Sequence, residues 1–280
     1  MRMSSGFTII ETTLFLAVSG LLVLGMLVGI GVSLSNQRYR DAVYSFRDIL
    51  QNQYADVMSV QSSRPGNLSC ITNGSNLQID DNGAGEPIGQ SSCVVVGRYM
   101  RIDTNGLLTT YNVLAREIDD KRLNDIESLR QNYILGVDIS ESNDAEMEWD
   151  TEISWPKSGS GMQAAISNRT MGILVVRSPD SGRVYTFTTN TIPTDKAVVG
   201  SAYLKSFIIA GDSIPGQGDR TICVNSENWT TPDAMAVHIE SFAAGASAVQ
   251  IRTNQTALDI GAALKSFPSK TDPKVGPSQC

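Results

Sequence analysis

The sequence predicts an α+β fold in which a long N-terminal α-helix, half membrane-type and half amphipathic, packs on a C-terminal antiparallel β-sheet domain. Three observations predict it. No charged residue occurs from Leu14 to Leu34, about 21 residues, and roughly 20 are needed for a helix to cross a bilayer. The next stretch carries apolar residues at helical spacing. Beyond Pro65 the chain breaks into short apolar runs separated by turn residues, the pattern of a sheet whose strands meet through hairpins.

Taken in order, the first segment is MRMSSG, a short polar leader over 1–6. The run over 7–34 follows, headed by a single carboxylate, Glu11. It is longer than the 7–15 apolar residues of a secretory signal, and no small-residue cleavage site clearly follows it. The small residues Ser4, Ser5 and Gly6 precede it instead. Over 35–61, Tyr39, Val43, Phe46, Leu50 and Val57 fall at steps of three, four or seven, which is one stripe of an amphipathic helix. No proline intervenes before Pro65. One helix of ~55 residues, roughly 80 Å long, is therefore expected from Phe7 to about Gln61.

Residues 62–280 read as an exported, β-rich globular domain. Asn105-Gly106 lies between strand-like runs and predicts a hairpin, and GILVVRSPDSGRVYTFTT predicts another around Pro179 to Gly182. The runs SFIIA, TICV, MAVHIESF and SAVQIRT read as further strands. AREIDDKRLNDIESLRQNY places Ile118, Leu123, Ile126, Leu129 and Tyr133 at spacings that suit a helix. SFPSKTDPKVGPSQC reads as a proline-rich loop pinned at its terminal cysteine.

Charge and composition narrow the function. A formal net charge of −7, from 22 Lys+Arg against 29 Asp+Glu, argues against a nucleic-acid or anionic-lipid surface as the main binding face, because those partners demand a basic footprint, and leaves room only for a small local basic patch. No specific nucleic-acid site is seen. Arginines flank both sides of the apolar run, with Arg2 before it and Arg38, Arg40 and Arg47 after it, so the positive-inside rule leans against export of the large portion. The cysteines lean the other way. All four, Cys70, Cys93, Cys223 and Cys280, follow the run, and an even set without C-x-x-C spacing favours disulfides over zinc.

Chemistry-bearing motifs are weak. The sole histidine, His238, lies in an alternating strand-like run and reads as structural. GSGMQA resembles a dinucleotide loop only in its letters. IDDNGAGE offers Asp80, Asp81, Asn82 and Glu86 as oxygen donors, but its spacing does not fit an EF-hand and an acidic turn is preferred. Trp149, Trp155 and Trp229 read by default as core. No catalytic residue, metal or cofactor is expected.

The conjunction of a short polar leader, Gly6, Phe7-Thr8-Ile9-Ile10, Glu11 and a long apolar run leading into an amphipathic helix resembles the type IV pilin and pseudopilin family. The resemblance is local, covering the first 55 to 60 residues in detail. It implies a pilin-like fold, cleavage by a membrane prepilin peptidase between Gly6 and Phe7, and N-methylation of Phe7 by the same enzyme. It also implies that Glu11 meets the ammonium of an adjacent subunit, which fits the cost of a carboxylate in hydrocarbon, roughly 2.5–3.5 kcal/mol on insertion scales. An interfacial, solvated Glu11 is the alternative. Where many members carry a proline, this chain has Val28, with Gly25, Gly29 and Gly31 around it. These glycines permit either local melting of the helix or close G-x-x-x-G packing.

The implied partners are copies of the chain or other pilins, the peptidase, and an assembly platform with its ATPase. The membrane holds the precursor and an extracellular filament the product. The function implied is a major or minor pilus subunit serving adhesion, twitching or DNA uptake. Alternatives are a secretion or competence pseudopilin and a membrane-tethered binding domain that never polymerises. Of three disulfide connectivities, Cys70 to Cys93 and Cys223 to Cys280 are preferred, since each closes a local loop or pins a chain end, and the family's C-terminal loop is often tied in this way.

Overall fold

The computed structural model describes residues 9–59, 69–73, 76–80, 92–103, 107–154, 170–189, 192–193, 199–208, 220–226, 235–239 and 244–253. A single helix, α1 (Ile9–Ser59), occupies the first described segment without a break. Among the described residues eleven strands follow: β1 (Ser69–Asn73), β2 (Asn76–Asp80), β3 (Val94–Ile102), β4 (Leu108–Glu117), β5 (Tyr133–Ala145), β6 (Thr151–Ser154), β7 (Met171–Arg177), β8 (Val184–Thr189), β9 (Arg220–Ser226), β10 (Met235–Ile239) and β11 (Val249–Thr253). Two short helices, α2 (Asp125–Gln131) and α3 (Ser201–Phe207), lie between strands. The fold is α+β, with one long apolar N-terminal helix packed against antiparallel sheet.

The strands form three sheets. The five-stranded sheet has the order β5-β4-β3-β7-β8, the four-stranded sheet β11-β10-β9-β6, and β1-β2 form a ribbon. Every pairing is antiparallel. Both expected hairpins are present. Strands β3 and β4 pair across the Asn105-Gly106 region, although that turn lies outside the described residues. Strands β7 and β8 meet at a turn where the Gly182 N–H donates to the Ser178 carbonyl at 2.9 Å. Gly182 has φ +75° there, a conformation open to glycine because it has no Cβ.

Alternation along the strands divides the core into layers. On β7, Met171, Ile173 and Val175 face one way and join a cluster with Phe46, Leu50 and Tyr54 of α1 and Ile222, Val237 and Val249 of the four-stranded sheet. Leu174 and Val176 face the opposite way, toward Leu129 of α2 and Leu204 of α3. The five-stranded sheet is thus covered by α1 on one face and by α2 and α3 on the other. A bulge between Val95 and Gly97 inserts Val96 into β3, which keeps Val96 on the same face as Tyr99 despite the odd spacing. Gly97 is needed at this point, since an added Cβ would strike the Val175 carbonyl and come within 2.9 Å of the Val176 Cα.

Three expectations are corrected. The stretch 115–133 is not one helix: β4 runs to Glu117, only Asp125–Gln131 is helical, and Tyr133 opens β5. Asn124 starts the helix by accepting from the Glu127 N–H at 2.9 Å, as N-cap residues do, while Ile118 and Leu123 stay exposed. In SFIIA, Ser206 and Phe207 end α3 rather than forming a strand, because Leu204 and Ile208, four residues apart, bury together. Trp149 is 46% exposed rather than core. Trp155, Trp229, GSGMQA, the IDDNGAGE residues after Asp80 and the C-terminal proline-rich stretch lie outside the described residues.

A polar clasp fixes α2 to the β7–β8 turn. Asp125 accepts from the hydroxyls of Ser181 and, at 2.7 Å, Tyr185. Asp180 accepts from the hydroxyls of Ser128 and, at 3.1 Å, Tyr133. The Ser181 hydrogen bond, aided by those from Tyr185 and Ser178 and by the nearby Arg183 charge, holds the Asp125 carboxyl below its ordinary range against the opposing effect of burial.

Candidate functional site on the N-terminal helix

The functional residues anticipated from the sequence are concentrated on α1, whose two halves differ in what they touch. From Ile9 to Leu34 the large apolar side chains are exposed, Ile9 at 82% and Leu34 at 46%. An 18-residue window with a mean hydropathy of 2.5 has none of its residues buried. By length and composition this helix can cross a membrane. From Tyr39 onward the same helix is seated on the β domain, burying Tyr39, Ala42, Val43, Phe46, Leu50, Tyr54 and Val57. All five residues of the anticipated stripe are buried. Ala42 and Tyr54 join them, the one too small and the other too polar at its tip to stand out in the sequence.

Glu11 lies in the first turn of the described helix. Beside it the hydroxyls of Thr12 and Thr13 donate to the carbonyls of Ile9 and Ile10, at 2.9 and 3.0 Å. Such bonds to the preceding turn satisfy the hydroxyls without a partner outside the helix, so the two threonines tolerate an apolar setting. Gly25, Gly29 and Gly31 are helical, and a Cβ built at any of them meets nothing within 4 Å. Gly6 and Phe7, the anticipated cleavage and methylation residues, lie outside the described residues.

The hand-over between the halves is anchored by polar contacts. The Tyr39 hydroxyl donates to the Val224 carbonyl at 2.9 Å and accepts from the Met235 N–H at 2.8 Å. The Gln51 amide donates to the carbonyls of Ala246 and Val249, at 3.2 and 3.1 Å. The Tyr54 and Thr186 hydroxyls share a hydrogen bond of 2.8 Å. These contacts tie α1 to both larger sheets.

Sequence reasoning missed the contact made by the 3-10 turn Glu148–Asp150. Trp149 has φ 59° and ψ 40°, a left-handed conformation that costs a bulky side chain about 1–3 kcal/mol. The Arg38 guanidinium lies over its ring, 4.9 Å from the centroid, and Ser45 donates to Glu148 at 3.1 Å. The signal was present in EMEWD, where acids on both sides of the tryptophan suit a solvated turn better than a core.

Cysteines on β1 and β9 are disulfide-bonded. Cys70 and Cys93 are bonded, with Cα atoms 6.1 Å apart, and pack with Leu77 against Leu114. Cys223, buried on β9, is also disulfide-bonded; its anticipated partner, Cys280, lies outside the described residues. His238 is buried on β10 opposite Gln250 and Thr221, a position within the sheet.

In comparisons with known proteins, no family model, no curated protein and no solved structure matches this chain. The architecture is consistent with a pilin-like layout in general: an apolar helix projecting from a β domain that covers its second half.

Proposed function

We propose that this chain is a structural subunit of a type IV pilus-like filament. The observation that carries the reading is the division of α1, exposed and apolar along its first half and buried under the sheets along its second. Exposed apolar surface costs about 25 cal/mol per Å² in water, so the first half requires either a bilayer or a bundle of similar helices. A subunit that moves from one to the other satisfies it in both states. Cleavage after Gly6 gives Phe7 a free ammonium, and Glu11 pairs with that group on a neighbour. The pair fixes axial register, a specificity role better suited to buried ion pairs than net stabilisation. Peptidase and ATPase supply the chemistry and the work, and the chain itself acts as a structural part.

Filaments sheared from cells and analysed by mass spectrometry test the proposal. Abundant chain with N-methyl-Phe7 at its terminus is expected for a major subunit, and trace amounts for a minor one. Complete absence from sheared material would overturn the pilus reading in favour of a pseudopilin or a tether.

A further inference from the structure

Trp149, Arg38 and Arg40 occupy the point where α1 leaves the β domain. The charge-free run Leu14–Leu34 extends about 30 Å, the thickness of a bilayer's hydrocarbon core. Arg38 and Arg40 lie four and six residues further on, about 6 and 9 Å along the axis. The polar layer of one leaflet is about 5–8 Å deep, so with the run in hydrocarbon the backbone of Arg38 falls at headgroup level and that of Arg40 just beyond it, within reach of its long side chain. Both are exposed. Trp149 reaches the same level through its contact with Arg38, and its left-handed backbone leaves the ring outside the core.

We propose that Trp149, Arg38 and Arg40 form a docking surface for the phosphate headgroup layer of a bilayer, which holds the domain against the membrane before assembly; this rests on the membrane reading of α1. Tryptophan suits the position because its ring is apolar and its N–H can face water and phosphate. Arginine suits it because a planar guanidinium binds phosphate while its stem packs on apolar surface. Charge at this end is mixed, since Glu146, Glu148 and Asp150 flank Trp149 in sequence and Asp41 follows Arg40, so the two arginines act as individual phosphate contacts rather than as a basic field. Glu148 is drawn toward Ser45, seven residues beyond Arg38 and so about 10 Å further from the hydrocarbon. Asp41 is about half that distance beyond Arg38. The proposal also gives the arginines after the run a task of their own, which explains their presence on a flank where the positive-inside rule disfavours them.

The test uses the full chain in vesicles of phosphatidylcholine and phosphatidylglycerol that carry brominated lipid. Bromine at the glycerol end of the acyl chains is expected to quench roughly a third of the tryptophan emission, since Trp149 is one of three tryptophans. Bromine at the methyl end should quench much less. Trp149→Phe should remove about half or more of the shallow quenching, and Arg38→Gln with Arg40→Gln should reduce it. Equal shallow quenching in wild type and Trp149→Phe would overturn the proposal. So would shielding of Trp149 from aqueous iodide in filaments but not in vesicles, which would identify a contact between copies. Phe15→Trp in the Trp149→Phe background reports on the helix. Deep quenching of that reporter without shallow quenching of Trp149 overturns the docking surface alone, whereas no quenching of the reporter overturns the membrane reading and this proposal with it.

Discussion

The hydroxyl of Tyr39 accepts the backbone N–H of Met235 at 2.8 Å, so the first buried residue of α1 completes the start of strand β10. Tyr39→Phe keeps the ring and removes that acceptor. A buried N–H left without a partner costs about 1–3 kcal/mol, and the variant should lose stability by that amount in urea unfolding of the full chain in detergent. An unchanged midpoint would show that the ring alone makes the contact.

Glu11→Gln retains shape and hydrogen-bonding capacity but loses the charge that, in the proposed filament, attracts a neighbour's ammonium. The variant should still be cleaved after Gly6 and accumulate in the membrane. Its abundance in sheared filaments should fall sharply, because a uniformly apolar bundle otherwise has little to distinguish the correct register from one slipped by a helical turn. Wild-type incorporation would leave interfacial solvation as the role of this acid.

Replacing Cys70 and Cys93 by serine opens a loop with a sequence separation of 23. In the chain-entropy model the bond contributes about 3 kcal/mol. Thermal unfolding should begin earlier, and the β1–β2 ribbon should lose hydrogen-exchange protection before the five-stranded sheet does. Uniform loss of protection across both sheets would argue that the ribbon is integral to the main core.

Asp125 makes acid stability testable with a definite sign. Its folded pKa is depressed, first by the Ser181 hydrogen bond, so its stabilising contribution is present above the ordinary carboxylate pKa of about 4. That contribution is lost as pH falls through the lower folded value. Asp125→Asn should therefore be less stable than wild type at neutral pH, and the difference should narrow below about pH 4. Melting temperatures of the two proteins between neutral pH and strong acid provide the measurement, and a constant gap would contradict the assignment.

The helix and its stripe were legible because burial along α1 follows the helical period, and Tyr39, Val43, Phe46, Leu50 and Val57 mark each turn. The two hairpins were legible through their turn residues. Short apolar runs carried less information: SFIIA is compatible with a strand or a buried helix end, and only the packing of Leu204 and Ile208 against the five-stranded sheet decides it. The segment around Ile118 misled because spacing alone cannot show that Asn124 starts the helix late. Trp149 departs from the core position its residue type suggests because acids flank it on both sides. The division of α1 was legible, but its contact with the 3-10 turn was not, since residues more than a hundred positions apart meet there.

Because α1 passes from its exposed half to its seated half without a break, axial position and azimuth are geared together like a crank. Each residue of the helix advances about 1.5 Å and turns about 100°. A subunit that settled one residue out of step while keeping the same helix contacts would therefore swing its entire β domain through more than a quarter of a circle. In the filament proposed above, small errors at the greasy end would become gross collisions at the periphery, and the bulk of the domain would proofread the placement of the rod.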